Sequence, residues 1–420
     1  MHPNAMLDLT VDLLRTVLKF DEPLDGALAD FFRRRRELGM RERQVLADTA
    51  YALVRDRLRY EHLAQSGTGS LERRLAILAW QGDRSWLHRA VGPNENTWWQ
   101  RANAVDPASL SDKLRHNLPD WLSGGLRASL PADQFAALAQ ALNEPAPLDL
   151  RVNALKAKRA QVQAALTEAG IANEPTPYSP WGLRLPDKPS LLRTGPFERG
   201  EIEVQDEGSQ LLALLVDPHR GEMVADFCAG AGGKTLALGA AMRNTGRLYA
   251  FDVSGHRLDA LKPRLARSGL SNVYPAQIAH ERDDRVKRLA GKMHRVLVDA
   301  PCSGLGTLRR NPDLKWRQSP AVVAEMQALQ QRILDSAAQL VAPGGRLVYA
   351  TCSLLRAENE VVAEAFEAAQ GREFERLPAA QVLAEARVEA AADLDQGGFM
   401  RLWPHRHHTD GFFAAVWRRR

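Results

Sequence analysis

The sequence predicts an α/β fold with a mostly parallel sheet, preceded by a helical region and a small α+β unit. Three observations predict it. From about residue 200 onward, short apolar runs of strand length alternate with segments of helix length. Residues 1 to about 130 repeat apolar side chains at helical spacing and show no strand-like alternation. Between them, proline and glycine punctuate a segment that opens on an alternating run. A chain of 420 residues exceeds one ordinary core. Three parts are expected: a helical domain at 1–135, a small α+β unit at 145–205 and the α/β domain at 206–420.

In the first part, Leu7, Val11, Leu14 and Leu18 mark one face of a helix. Leu46, Ala50, Leu53 and Val54 mark a second helix within 42–59. The stretch 91–101 holds Pro93, Asn94, Asn96 and the pair Trp98-Trp99 and is expected as a loop. Its tryptophans are expected to plug against a neighbouring helix rather than stack on bases. In the second part, Leu148 to Asn153 alternates like a strand, and 156–169 reads as a helix closed by Gly170. In the third, strands are expected at 223–227, 248–252, 296–299 and 346–350, the last preceded by a turn at Pro343-Gly344-Gly345. Helices are expected at 233–242, 255–267 and 320–340. A final strand at 412–417 follows Asp410-Gly411. Folds of this kind bind ligands at the carboxyl ends of their strands, where the strand order reverses.

With 45% hydrophobic and 25% charged residues, the composition is that of a globular protein. No apolar run approaches the roughly 20 residues that span a bilayer. The first residues lack a secretory pattern. A cytoplasmic protein without membrane contact is expected. The cysteines are Cys228, Cys302 and Cys352, too few and too scattered for a disulfide framework or a zinc site. A net charge of +5 suits a polyanionic partner without identifying one. The arginine runs at 33–36 and 418–420 are more often solvated faces than binding sites.

The segment Asp226-Phe227-Cys228-Ala229-Gly230-Ala231-Gly232-Gly233-Lys234-Thr235 follows an expected strand and opens an expected helix. Its glycines permit positive φ and close approach to a ligand. Asp252 closes the next strand, where an acid can accept hydrogen bonds from ribose hydroxyls. The pair fits a ligand that contains adenosine. Gly233-Lys234-Thr235 imitates the end of a P-loop, but the first glycine of that motif is replaced by Cys228. A dinucleotide fingerprint from Gly230 fails at Thr235. A loop for S-adenosylmethionine has no triphosphate to cradle and tolerates this looser pattern.

The most specific feature is Val298-Asp299-Ala300-Pro301-Cys302-Ser303-Gly304 at the carboxyl end of one expected strand. A second cysteine stands in Ala350-Thr351-Cys352-Ser353, just past another. Both lie in turns of small polar residues, not on apolar faces, so two thiols can face one cleft. Such a pair suits methylation of cytosine at C5, a poor nucleophile. Thiolate addition at C6 turns the ring into an enamine that can take a methyl group from a sulfonium, and loss of the C5 proton then frees the thiol. Asp299 is placed to assist at N3, and Lys234 to lower a thiol pKa. Spacing alone does not choose between the thiols.

These residues carry a resemblance. The chain resembles the Sun-type (Fmu) bacterial ribosomal-RNA cytosine-5 methyltransferases through Val204 to Gln210, the glycine-rich loop, Asp299 to Gly304 and Thr351-Cys352-Ser353. Pro404-His405-Arg406 and Thr409 to Phe413 extend the match. The resemblance implies a Rossmann-like class I methyltransferase domain that uses S-adenosyl-L-methionine. It implies Cys352 as the nucleophile and Cys302 as the thiol that assists product release. It implies cofactor contacts along Cys228, Ala229, Gly230, Ala231, Gly232, Gly233 and Lys234, and at Asp252 and Asp299. Residues 1–135 look like the helical NusB-like RNA-binding domain of such enzymes, and 145–205 like their RNA-recognition-like subdomain. The implied partner is RNA, small-subunit ribosomal RNA above all, bound by a monomer. Two positions depart from the pattern. An acid that contacts adenine would fall at His280, so either Glu281 beside it takes that contact or affinity falls. Gly230-Ala231 stand where Ala-Pro is usual, which would loosen the loop.

Other features carry less. His405, His407 and His408 have no cysteine at ligand spacing, and no metal is expected. Arg309-Arg310 is a candidate phosphate contact, and Trp316 a candidate for core packing. Three competing functions suit the residues less well. A P-loop ATPase acting on RNA lacks its first glycine. A non-catalytic RNA-binding factor would not need both cysteines. An amino-group methyltransferase has no use for Cys352.

Overall fold

The computed structural model describes residues 2–420. The chain folds as two units: Met1–Pro145 with Thr307–Pro320, and Ala146–Gly306 with Ala321–Arg420.

The first unit is helical. Pro3–Val17 buries Leu7 and Leu14 on the expected face, against Leu46, Leu53 and Val54 from Met40–Arg55. The helix expected across 42–59 is two helices, Met40–Arg55 and Arg57–Ala64. The break falls at Asp56, and the freed backbone groups find side chains. The Leu58 N–H donates to Asn117 Oδ1 at 2.8 Å. The Arg55 carbonyl accepts from the Asn117 amide and from Lys315 Nζ.

The stretch 91–101, expected as a loop, is mostly the helix Pro93–Asn103. Its proline sits in the first turn, where the missing N–H costs nothing. The Gly92 N–H donates to Glu95 at 3.0 Å, and Arg73 clamps the same carboxylate. The Pro-Asn-Asn cluster is therefore a helix start. Trp99 is buried in the helical core, and Trp98 packs on it while donating to Ser66 Oγ.

Thr307–Pro320 belongs to this unit although it follows the Cys302 turn in sequence. Lys315 is buried and donates to the carbonyls of Arg55 and Asn117 and to Asn143 Oδ1. Trp316 lies on the helical core and donates to the Val54 carbonyl at 2.7 Å. Arg309 is buried as well, which removes its guanidinium from the candidate phosphate contacts.

The second unit holds two sheets. In the smaller, the strands are β1 (Leu148–Val152), β2 (Glu174–Pro175), β3 (Gly182–Leu185) and β4 (Ile202–Val204), in order β2-β3-β1-β4 and antiparallel. The helix Arg159–Glu168 covers it through Val162 and Leu166.

The larger sheet begins with β5 (Met223–Asp226), β6 (Arg247–Asp252), β7 (Val273–Gln277), β8 (Met293–Asp299) and β9 (Val341–Thr351). It continues with β10 (Phe374–Leu377), β11 (Asp395–Gln396), β12 (Phe399–Leu402) and β13 (Phe412–Arg419). The order is β11-β12-β13-β9-β8-β5-β6-β7, with β10 on β13. The pairs from β9 to β7 are parallel. Leu297 and Val348 pack into one core, and Val296, Val298 and Tyr349 into the other, so both faces are buried. This is the Rossmann-like α/β domain that was expected.

The helices at Glu207–Val216 and Glu360–Gln370 and the strands β7 and β10 to β12 were not foreseen. The turn expected at Pro343-Gly344-Gly345 is an irregularity inside β9. Register passes from Met293 opposite Val341 to Arg295 opposite Arg346, with Gly344 at φ 77°. Among the described residues, no helix is long and apolar enough to cross a membrane.

Candidate functional site

Strand order reverses between β5 and β8, so loops leaving these strands diverge and open a cleft. After β5 the chain turns through Gly230 at φ 55° and Gly232 at φ 81° before the helix Gly233–Ala241. A side chain on Gly232 would strike Leu261. Bonds from outside hold the loop, among them that of the Ala229 N–H to the Phe251 carbonyl at 2.8 Å. The Gly230 N–H donates to Asp252 Oδ2 at 2.8 Å. Arg264 donates to the Ala231 carbonyl at 2.5 Å, and Arg151 to that of Gly233 at 2.6 Å.

The loop borders a cavity of about 850 Å³. Cys228, Ala229, Gly230, Ala231, Gly233, Lys234, Asp252, Glu281, Asp299, Cys302 and Cys352 all line it. Gly232 does not, since its place is the left-handed turn against Leu261. The structure thus brings every other expected site residue to one cavity. Glu281 reaches it beside His280 while pairing with Arg332 at 3.5 Å.

The thiols meet there. Asp299 and Ala350 are paired across β8 and β9, so the turns that follow run side by side. Cys302 Sγ and Cys352 Sγ lie 3.4 Å apart, both partly exposed. The Cys302 thiol is pushed well up, first by its hydrogen bond to Cys352 and then by burial. Either sulfur can donate across this contact. Burial pushes the Cys228 thiol well up, so this third cysteine is an inert lining residue. Lys234 Nζ lies 2.6 Å from Asp299 Oδ2. Burial pulls the Lys234 pKa down, but Asp299 and, more weakly, Cys352 pull it further up, so it is a cation.

Sequence reasoning missed two carboxylates. Asp226, the last residue of β5, is buried and pushed up to about 7, chiefly by burial. Its Oδ2 accepts from Thr235 at 2.7 Å, and Oδ1 has no partner among the described residues. Its place at the end of the first strand before the loop was the available signal. Glu358 lies behind both cysteine turns and bonds to Ser303 and Ser353. Its signal was the serine that follows each cysteine.

His407 is a structural residue, its Nδ1 accepting the Trp403 N–H at 2.8 Å. No group of three metal-ligating side chains occurs among the described residues.

The cavity fits S-adenosylmethionine by its own chemistry. Asp252 ends a strand at its rim, and Val253, 59% exposed, offers an apolar surface to a flat ring. The orphaned Asp226 Oδ1 offers an acceptor to a cationic amino group.

A family model described as 16S rRNA methyltransferase RsmB/F matches residues 213–418. Another, described as an RsmF/B-like ferredoxin-like domain, matches residues 118–191. The probable ribosomal RNA small subunit methyltransferase B of Synechocystis sp. is 36% identical over 319 residues, covering 75% of this chain and 70% of that protein. Its counterpart from Bacillus subtilis is 34% identical over 277 residues, covering 66% and 60%. The chain thus spans 60% to 70% of the lengths of these relatives. The crystal structure of PH0851 superposes with a TM-score of 0.79 at 26% identity, covering 99% of each chain.

Proposed function

Since the chain belongs to the Sun-type RsmB/F family of ribosomal RNA methyltransferases, we propose that it methylates C5 of a cytosine in small-subunit ribosomal RNA. The observation that carries this reading is the 3.4 Å approach of Cys302 and Cys352 in a cavity bordered by the glycine-rich loop. An enzyme that methylates an amino group or a ribose oxygen needs no such pair.

The chain's residues divide the work. Cys228, Ala229, Gly230, Ala231, Gly233 and Lys234 would border the cofactor, with Asp252 to hold its ribose and Glu281 its adenine. When bound, S-adenosylmethionine supplies an electrophilic methyl group. Cys352 adds through sulfur to C6 of the cytosine, which makes C5 nucleophilic. Its sulfur lies 3.4 Å from that of Cys302, in the cavity that Lys234 also lines. Asp299, held by Lys234, faces the cavity and serves N3 of the ring. After methylation a base takes the C5 proton, and the electrons of the C6–sulfur bond return to Cys352. Cys302 assists that departure. The helical residues 1–135 and the small sheet within 145–205 bind the RNA, and the protein acts as a cytoplasmic monomer.

The test is a denaturing gel with RNA that contains 5-fluorocytosine, whose C5 fluorine blocks the final elimination. Wild type should give a covalent protein–RNA band and Cys352→Ala none. Cys302→Ala should accumulate an adduct on unmodified RNA. A band that survives Cys352→Ala reverses the roles of the two thiols.

A further inference from the structure

Behind the thiol pair lies a buried carboxylate that the proposed chemistry leaves unused. Glu358 ends the short turn Arg356–Glu358 and is fully buried. Its Oε1 accepts the Ser303 N–H at 2.7 Å and Gln330 Nε2 at 3.2 Å. Its Oε2 accepts the hydroxyls of Ser303 and Ser353, each at 2.5 Å. Ser303 directly follows Cys302, and Ser353 directly follows Cys352. The same Gln330 amide donates to the carbonyl of Pro301, on the other side of Cys302. The backbone of Glu358 is anchored too, its carbonyl accepting the Tyr349 hydroxyl of β9 at 2.5 Å.

A carboxylate in an apolar interior persists only when donors satisfy it. It accepts and never donates, so it selects one arrangement of the groups around it. Here two of those groups come from one cysteine turn and one from the other. Pulling the turns apart would strip a donor from a buried charge. We propose that Glu358 is a positioning residue that locks the Cys302 and Cys352 turns together, so that both thiols reach the same pyrimidine. The inference rests on the reading of the two thiols as a reacting pair.

A glutamine at this position keeps the shape and loses the charge. The test compares full-length wild type, Glu358→Gln and the double variant Ser303→Ala/Ser353→Ala. Phenylarsine oxide reports the thiol spacing without any RNA: its arsenic joins two sulfurs, and two thiol protons leave with its oxygen as water. Glu358→Gln should slow this double capture and lower kcat and the rate of fluorocytosine adduct formation by about tenfold, because ångström-scale misplacement of reacting groups costs that much or more. The KM values for RNA and S-adenosylmethionine should stay within about twofold, since substrate binding is untouched. The serine double variant should show the same defects, and adding Glu358→Gln to it should change nothing further. Wild-type capture and kcat in Glu358→Gln, or defects that multiply with those of the serine variants, would overturn the proposal. If Glu358→Gln does not fold, the serine variant carries the same expectation. Slowed capture in a protein whose wild type forms no adduct would keep the positioning role and sink the cytosine chemistry. Equal adduct rates in wild type and Glu358→Gln would do the reverse.

Discussion

The carboxylates of the site are distinguished by what each oxygen touches. Asp252 and Glu358 have donors on both oxygens, whereas Asp226 has one on Oδ2 alone. Burial therefore raises the Asp226 pKa to about 7, against roughly 3.9 in an unfolded chain. The folded protein binds the extra proton, so this group's contribution to stability is full below pH 4 and is lost as pH rises through 7. Asp226→Asn removes that loss. Its melting temperature relative to wild type should climb by roughly 5 °C between pH 5 and pH 8, measured without cofactor by calorimetry. A pH-independent difference would refute the argument. The cysteines were legible in the sequence because small polar residues surround them where a strand ends. Asp226 opens the glycine-rich segment, but sequence cannot show which carboxylate oxygen is left without a donor. Glu358 was invisible for a related reason: its partners are far away along the chain and meet it only once β8 and β9 are paired.

At the scale of elements, the glycine-rich loop works because two of its glycines have different tasks. Gly230 borders the cavity and donates to Asp252, while Gly232 turns the chain into its helix against Leu261. Gly232→Ala must place a Cβ at φ 81°, which costs on the order of 1–2 kcal/mol before the clash with Leu261 is counted. Its dissociation constant for S-adenosylmethionine should rise about tenfold or more in a calorimetric titration. Sequence reasoning expected Gly230-Ala231 to loosen this loop. In the structure, Arg264 and Arg151 hold the carbonyls of Ala231 and Gly233. The strands β5, β6 and β8 were legible as buried apolar runs. The strand β7 was not, because it is largely exposed and carries Pro275. The helix Pro93–Asn103 reads as a loop in the sequence because its capping residues resemble turn residues, and Arg73, which holds its first turn, is remote in sequence.

For the whole molecule, sequence order and spatial division disagree. Thr307–Pro320 begins just after the Cys302 turn yet is part of the helical unit, and no local pattern announced that. Lys315 supplies donors to three oxygens inside that unit. Lys315→Met strands them, at a cost of about 3 kcal/mol. The helical unit should then unfold earlier in a denaturant titration followed by hydrogen exchange, with the ends of Met40–Arg55 and Asp112–His116 losing protection first. Exchange unchanged in those helices would show that the three oxygens find other donors. The larger sheet also ends in β7, with a neighbour on one side only. An unpaired margin of backbone amides and carbonyls invites other chains to continue the ladder. Pro275 sits in the middle of that margin and has no amide hydrogen to offer a newcomer. The proline that obscures this strand in the sequence thus also guards the molecule against polymerising along its own sheet.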